Sequence, residues 1–124
     1  MICPYCNKKA IWCSNENIYG RAMGVSHMCY YCRDCDAYVG CHKNTRNTLG
    51  TMANKELRGW RQKAHFKIDP FWKEHGWMRS HVYEYMTMMF GYEVHVGSSD
   101  IDLCKAILEL EFPTYKEFLK AREL

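Results

Sequence analysis

The sequence predicts an α+β protein in which an N-terminal zinc ribbon of short antiparallel strands packs against three to four C-terminal helices. The first observation is a pair of Cys-x-x-Cys motifs, Cys3 with Cys6 and Cys32 with Cys35. About 25 residues separate the motifs, a spacing typical of a four-thiolate zinc site. The second observation is that apolar residues recur at helical spacing from Met52 onward.

The change of pattern near residue 50 predicts how the chain is divided. Residues 1–49 are expected to form the ribbon with a following strand and polar loop. Residues 50–124 are expected to form a helical region that packs with the ribbon as one compact unit. A chain of 124 residues that is 48% hydrophobic and 25% charged has a globular composition and room for such an arrangement.

The eight cysteines indicate metal binding rather than a secreted disulfide framework. No signal peptide precedes them, and no apolar run approaches the length of a membrane span. Close-paired cysteines in such a chain are typical of metal ligands in a reducing compartment. We therefore expect a cytoplasmic protein without a membrane partner.

The ribbon is predicted element by element. Pro4 pre-sets the turn of the first Cys-x-x-Cys knuckle, where backbone N–H groups can point at the sulfurs. Residues 10–19 suggest two short strands joined through a turn at 14–17. Residues 28–32 resume a strand that leads into the second knuckle, and residues 37–41 continue as a β-like run.

The second knuckle requires a choice, because Cys29, Cys32 and Cys35 are all at Cys-x-x-Cys spacing. Arg33-Asp34 tolerates a turn, whereas the two tyrosines after Cys29 suit a strand better. This favours one structural zinc ion held by Cys3, Cys6, Cys32 and Cys35. Cys13 and Cys29 are then interpreted as buried strand thiols.

Cys41 and His42 allow more than one interpretation. They could belong to a second metal site or a nucleophilic pair, but adjacent residues of a strand point to opposite faces, which favours a simple strand end. The roles of Cys29, Cys41 and His42 therefore remain open. The polar segment 43–48 that follows is either an anion-binding loop or a solvated turn.

A long helix is predicted after residue 52, with one apolar face formed by Ala53, Leu57, Trp60, Ala64 and Ile68. Asn54 or Thr51 is expected to cap its start. Asp69-Pro70 is expected to interrupt it, because the residue before proline resists helical geometry.

Three further helices are predicted from caps and apolar periodicity. Ser80 is expected to cap residues 81–90, and Ser98 or Ser99 to cap a helix near 100–110. Pro113 lies near the start of the last helix, where proline is tolerated.

The basic residues concentrate in the middle of the chain although the formal net charge is only +3. Residues 42–79 carry nine basic and three acidic side chains, whereas residues 80–124 carry four basic and eight acidic. This predicts a basic face from His42 to Lys67, which either meets phosphates or is a solvated surface. The candidate contact residues are Lys43, Arg46, Lys55, Arg58, Arg61 and Lys63, with His42 and His65.

The sequence resembles the phage and prophage zinc-finger-containing domain family, whose function is unknown. The resemblance covers nearly the whole chain and is densest between Cys32 and Trp72. It rests on the motifs CPYC, CRDCDAYVGCHKNT, Arg61-x-x-Ala64-His65 and Asp69-Pro70-x-Trp72-Lys73. The resemblance implies a viral or prophage gene expressed in the cytoplasm of a bacterial host.

Three functions are compatible with these patterns. The leading hypothesis is a nucleic-acid-binding module that contacts DNA or RNA through the basic face. The alternative is a phage-encoded interaction protein that binds and inhibits or redirects a host enzyme or defence complex. The third is a metal-dependent nuclease using His42, His65 and Asp69. We expect no enzyme activity, because four cysteine ligands close the zinc site.

Overall fold

The computed structural model describes residues 1–123 and has the α+β architecture that the sequence predicts. Three strands form one antiparallel sheet in the order β1-β2-β3: β1 (Ile11–Ser14), β2 (Met28–Cys32) and β3 (Ala37–Gly40). The helices are α1 (Glu16–Tyr19), α2 (Lys55–Lys73), α3 (Arg79–Phe90), α4 (Ile101–Glu109) and α5 (Tyr115–Arg122), with a 3₁₀ turn at Val96–Ser98.

The chain divides into two compact units. The ribbon unit is Met1–Gly59, and the helical unit is the remainder of the chain from Trp60. The boundary falls inside α2, so the first turn of that helix belongs to the ribbon unit. Among residues 1–123, no helix combines the length and the apolar character needed to cross a membrane.

The sheet of the ribbon unit has two different faces, because side chains alternate along each strand. Trp12 pairs with Tyr30, and Tyr30 with Val39, so these three share one face. Cys13 pairs with Cys29 on the opposite face. One buried cluster of this unit consists of Cys3, Ala10, Cys32, Ala37, Val39 and Met52, and Cys29, Cys41, Ala53 and Leu57 are buried outside it.

The expectation of two strands within residues 10–19 is half wrong. Residues 11–14 form β1, but Glu16–Tyr19 is a short helix that ends at Gly20 in the left-handed conformation (φ 81°). The side-chain amide of Asn15 is bonded to the backbone of Met23 in both directions, at 2.9 and 3.0 Å. These bonds fold residues 15–23 into a compact turn. Strand β1 therefore pairs with β2 and not with the residues that directly follow it.

Helix α2 begins as predicted but does not end where predicted. The Asn54 side chain accepts a 3.0 Å hydrogen bond from the Leu57 backbone N–H, which is a helix N-cap. The helix nevertheless continues through Pro70 to Lys73. Pro70 removes a single backbone N–H from the helix, and its carbonyl still accepts the Glu74 N–H at 2.8 Å. The following Phe71 is held by stacking on Phe112, with ring centroids 4.4 Å apart.

The expected serine caps of α3 and α4 are wrong. Ser80 lies inside α3, which follows Met78 without a side-chain cap. The cap of α4 is Asp100, whose carboxylate accepts a 2.8 Å bond from a backbone N–H of the first turn. Ser99 does not cap α4, because it is buried and its hydroxyl donates to the Val96 carbonyl at 2.6 Å.

The core of the helical unit joins α2, α3, α4 and α5, and its buried residues are Ala64, Ile68, Trp77, Val82, Met86, Val94, Val96, Cys104, Ile107 and Phe118. Phe118 is its largest fully buried side chain and stacks beside Trp77, with centroids 5.1 Å apart. Thr114 caps α5 through a capping box with Glu117, which holds the helix carrying Phe118.

Replacing Phe118 with alanine should lower the free energy of unfolding of the helical unit by about 3–5 kcal/mol, because a buried aromatic ring is lost and a cavity is left. Leu119→Ala is the matched control on the same helix, since that side chain is 36% exposed. Urea denaturation followed by circular dichroism measures both. Equal losses for the two variants would contradict the assigned core.

Candidate metal centre and the neighbouring basic surface

Four cysteine sulfurs meet at one end of the ribbon unit. The Sγ atoms of Cys3, Cys6, Cys32 and Cys35 all lie within 4.8 Å of one another. The distance between the sulfurs of Cys6 and Cys32 is 3.7 Å. A tetrahedral zinc ion with Zn–S bonds of about 2.3 Å separates its sulfurs by about 3.8 Å. The cluster therefore has the size of a four-thiolate zinc site.

Both knuckles turn in the same way. The residue after each second cysteine adopts the left-handed conformation: Asn7 with φ 62° and Asp36 with φ 49°. Asn and Asp tolerate this conformation better than other non-glycine residues. The Asn7 N–H donates to the Cys3 carbonyl at 2.9 Å, and the Asp36 N–H donates to the Arg33 carbonyl at 3.2 Å. The sequence thus places a turn-tolerant residue at the position that each knuckle requires.

The pKa values of the clustered thiols differ from that of a free cysteine. Burial raises the pKa of Cys3, but backbone N–H groups of Tyr5 and Cys6 stabilise its thiolate, and the net pKa is lowered. Burial raises the pKa of Cys35 to about 12. Hydrogen bonding with the thiols of Cys6 and, to a smaller extent, Cys32 acts in the same direction. Four thiolates at this spacing repel one another, so full ionisation needs a positive ion among them.

Comparison with known families agrees with this geometry. Residues 1–112 match the family model described as a zinc-finger-containing domain. The chain belongs to this family. No curated protein and no solved structure is significantly similar to the chain. The family match and the four clustered thiols together identify a small zinc-binding protein whose predicted ligands suit one structural zinc ion.

This zinc-finger-containing protein has a closed metal site. Four protein ligands complete a tetrahedron, which is the arrangement of structural zinc, whereas catalytic zinc keeps an open position. Within residues 1–123, the four-cysteine cluster is the sole group of three or more His, Cys, Asp or Glu side chains placed to hold a metal ion. When bound, the ion links the two knuckles.

The remaining cysteines of the ribbon unit lie outside the cluster. Cys13 and Cys29 face each other across β1 and β2, as strand thiols. Burial, and then the charge and hydrogen bonding of Cys13, raise the pKa of Cys29 to about 12. Burial also raises the pKa of Cys41, with the nearby Trp12 indole N–H opposing part of the increase. Cys29 and Cys41 are therefore neutral packing groups at physiological pH.

Arg58 connects separate segments of the ribbon unit through its side-chain hydrogen bonds. Its guanidinium donates to the Asp36 carbonyl, to the Asp36 carboxylate at 3.1 Å and to the Ala53 carbonyl at 2.9 Å. It also lies over the Tyr38 ring, 4.2 Å from the centroid. Since Asp36 follows the ligand Cys35, Arg58 ties the second knuckle to the start of α2. Its side chain is 25% exposed and that of Asp36 56%, so the bonds to carbonyls contribute more than the ion pair.

Two cations of α2 in the helical unit are also engaged internally. Arg61 donates twice to the Ser99 carbonyl, at 3.0 and 2.8 Å. Lys67 donates to the Ile107 carbonyl at 2.6 Å, and also to the carbonyls of Leu108 and Leu110 at the end of α4. Burial lowers the pKa of Lys67. Both side chains thus fasten α2 to neighbouring segments of its own unit.

The other predicted contact residues of α2 differ in their surroundings. Lys55 is exposed at the helix start. The Lys63 ammonium lies 4.4 Å from the centroid of the Trp60 ring. His65 approaches Asp69, with 3.5 Å between Nδ1 and Oδ1, as an i,i+4 pair on one helix face.

The polar loop of residues 42–47 is closed by its own hydrogen bonds. The His42 N–H donates to the Asn47 carbonyl at 2.8 Å, and the Thr45 hydroxyl donates to the His42 carbonyl at 2.9 Å. Asn44 takes the left-handed conformation at φ 59°. This closure accounts for the Asn and Thr of the loop and leaves the side chains of Lys43 and Arg46 exposed.

Sequence reasoning did not single out Trp12, which lies under this loop. The Arg46 guanidinium carbon is 4.0 Å from the centroid of the Trp12 ring. Trp12, His27, Lys43 and Arg46 line an open cleft of about 490 Å³. Strand alternation alone could have assigned Trp12 to a face of β1, but pairing it with Arg46 requires the loop geometry.

Replacing Cys32 with serine should abolish zinc binding and disorder the ribbon, because one of the four ligands is lost. Cys29→Ser is the matched control from the same strand, and it should retain one zinc ion per chain since Cys29 lies outside the cluster. Metal content by mass spectrometry, with far-ultraviolet circular dichroism, measures both. Loss of zinc from Cys29→Ser would refute the ligand assignment.

Replacing Arg58 with methionine should speed the transfer of zinc to a chelator by up to about 10-fold, because the support of the second knuckle is removed. Lys55→Met removes an exposed cation from the same helix and should release zinc at the wild-type rate. A colorimetric chelator assay gives the rates. Identical rates for the two variants would show that Arg58 does not support the site.

Proposed function

We propose that this protein is a nucleic-acid-binding module that uses its zinc ribbon as a rigid support for phosphate-binding cations. The observation that carries the proposal concerns the loop of residues 42–47. In the part of the chain that the structure describes, neither Lys43 nor Arg46 forms an ion pair with a carboxylate. Exposed cations without acidic partners are the groups that gain most from meeting phosphates.

The contacts within each unit refine the predicted face from His42 to Lys67. Arg58, Arg61 and Lys67 are engaged by carbonyl groups, so binding a phosphate would break existing hydrogen bonds. The loop cations carry no such cost. We therefore assign the principal phosphate contacts to Lys43 and Arg46, with His42, Lys55, Lys63 and His65 as weaker contributors.

The closed loop adds a second argument. A flexible loop loses conformational entropy when it orders on a ligand, and this loss reduces affinity. The hydrogen bonds of Thr45 and Asn47 already hold the loop, and the Ser26 hydroxyl donates to the Cys41 carbonyl at 2.6 Å just before it. Lys43 and Arg46 thus start from a largely ordered backbone.

The proposed setting is a phage-type protein in the cytoplasm of a bacterial host, as the sequence resemblance implies. We propose no catalytic step, because the four-thiolate site supplies no open metal position. Among residues 1–123, the metal-ligand cluster does not include His42, His65 or Asp69, which the nuclease hypothesis requires. The structure gives the latter two a local role as a helix pair.

Binding to DNA and RNA oligonucleotides should weaken as salt rises, with a log–log slope of about −0.7 to −0.9 for each phosphate neutralised. Lys43→Ala should reduce the magnitude of this slope by about 1 and weaken all sequences alike. Lys116→Ala, an exposed cation on α5, is the control and should leave the slope unchanged. Fluorescence anisotropy measures the affinities. A flat salt response for every oligonucleotide would contradict nucleic-acid binding.

A second candidate function, docking on a host enzyme or defence complex, is favoured by exposed apolar side chains at the end of α3. Met88, Met89 and Tyr92 are each more than half exposed. Methionine-rich surfaces adapt to protein partners. Capture from bacterial lysate that survives nuclease treatment but is lost in Met88→Lys/Met89→Lys would support this role over nucleic-acid binding. Nuclease-sensitive capture would favour the first proposal.

A further inference from the structure

Trp12 and Arg46 are shared by two open clefts of the ribbon unit. Both residues line the cleft of about 490 Å³, and both also line a second cleft of about 400 Å³. The stack of guanidinium on indole therefore adjoins both clefts. A ligand that occupies both clefts would contact this stack in each of them.

The two clefts share one sign of charge. The first contains His27 and Lys43, and the second contains Lys9, in addition to the shared Arg46. Among the described residues that line them, none is Asp or Glu. Such a surface attracts polyanions.

The clefts also offer flat surfaces. Arg46 lies over the Trp12 ring at 4.0 Å, and Tyr30, which pairs with Trp12 across the strands, lines the second cleft. Val25 and Met28 add apolar contacts in the first cleft. Nucleobases stack on aromatic rings and on arginine guanidinium planes, and they do so with little dependence on base identity.

We propose that the ribbon unit binds single-stranded nucleic acid, with unpaired bases in the two clefts that the Trp12–Arg46 stack lines and phosphates on Lys43, Arg46 and Lys9. This inference rests on the proposed nucleic-acid binding and specifies its ligand class. A duplex does not satisfy the site, because the flat faces of its bases are already stacked on one another. With a duplex, the cations of the 42–47 loop would contact only the phosphates.

The test compares oligothymidylate and oligouridylate of about 12 nucleotides with a duplex of the same length, using the full zinc-loaded chain. The single strands should bind more tightly than the duplex at matched salt. Arg46→Lys keeps the charge but removes the planar guanidinium. It should weaken single-strand binding roughly 5-fold or more while leaving the salt slope and duplex binding unchanged.

Lys116→Arg is the matched control, since it exchanges an exposed cation of α5 that lines neither cleft and should bind single strands as wild type does. Trp12→Phe retains an aromatic ring in the ribbon and reports on the stack directly. Quenching of tryptophan emission by oligothymidylate should be largely lost in this variant, because Trp12 is the tryptophan that lines both clefts.

Equal affinity for single strands and duplex, or unchanged single-strand affinity in Arg46→Lys, would overturn the inference. Either result would leave the salt-dependent binding of phosphates intact, so the proposed function would survive. If the binding affinity for all three oligonucleotides does not change with salt, the proposed function itself is contradicted. If only oligothymidylate or only oligouridylate binds, the ligand is single-stranded DNA or single-stranded RNA respectively.

Discussion

The ribbon unit depends on the convergence of four thiolates from two distant segments of the chain. Its core contains few buried residues, and Cys3 and Cys32 are themselves among them. Small cores of this kind commonly need a metal ion or disulfides to offset the entropy of ordering the chain. Metal binding and folding are coupled in such sites. A zinc ion on the four sulfurs would join the segment before β1 to the turn between β2 and β3, and so support the sheet that carries the clefts and the basic loop.

The cations of this protein divide according to whether carbonyl groups already engage them. Arg58 and Lys67 fasten helical segments to nearby backbone, and each has lost freedom to meet a ligand. Lys43 and Arg46 project from a loop whose hydrogen bonds are satisfied internally. A count of charges along the chain treats these groups as equal, whereas desolvation and hydrogen bonding make them different. The basic surface that we propose for phosphate binding is consequently smaller than the basic stretch of the sequence.

Local signals predicted the parts of the fold that depend on neighbouring residues. Asn54 caps α2, and Gly91 ends α3 in the left-handed conformation (φ 79°), because each acts through adjacent backbone. Prediction failed where tertiary contacts outweighed local preference. Pro70 stays helical because aromatic packing holds the turn after it, and Ser99 is no cap because its hydroxyl is buried.

The sequence by itself predicted the four zinc ligands, since Cys-x-x-Cys spacing and turn-tolerant residues at the knuckles are local properties of the chain. It also determined the amphipathic face of α2, which follows from helical periodicity. Only the tertiary structure decided which cations remain available and that Arg46 stacks on Trp12. These two residues are far apart in the sequence, and no periodicity relates them. Strand register and loop closure bring them together.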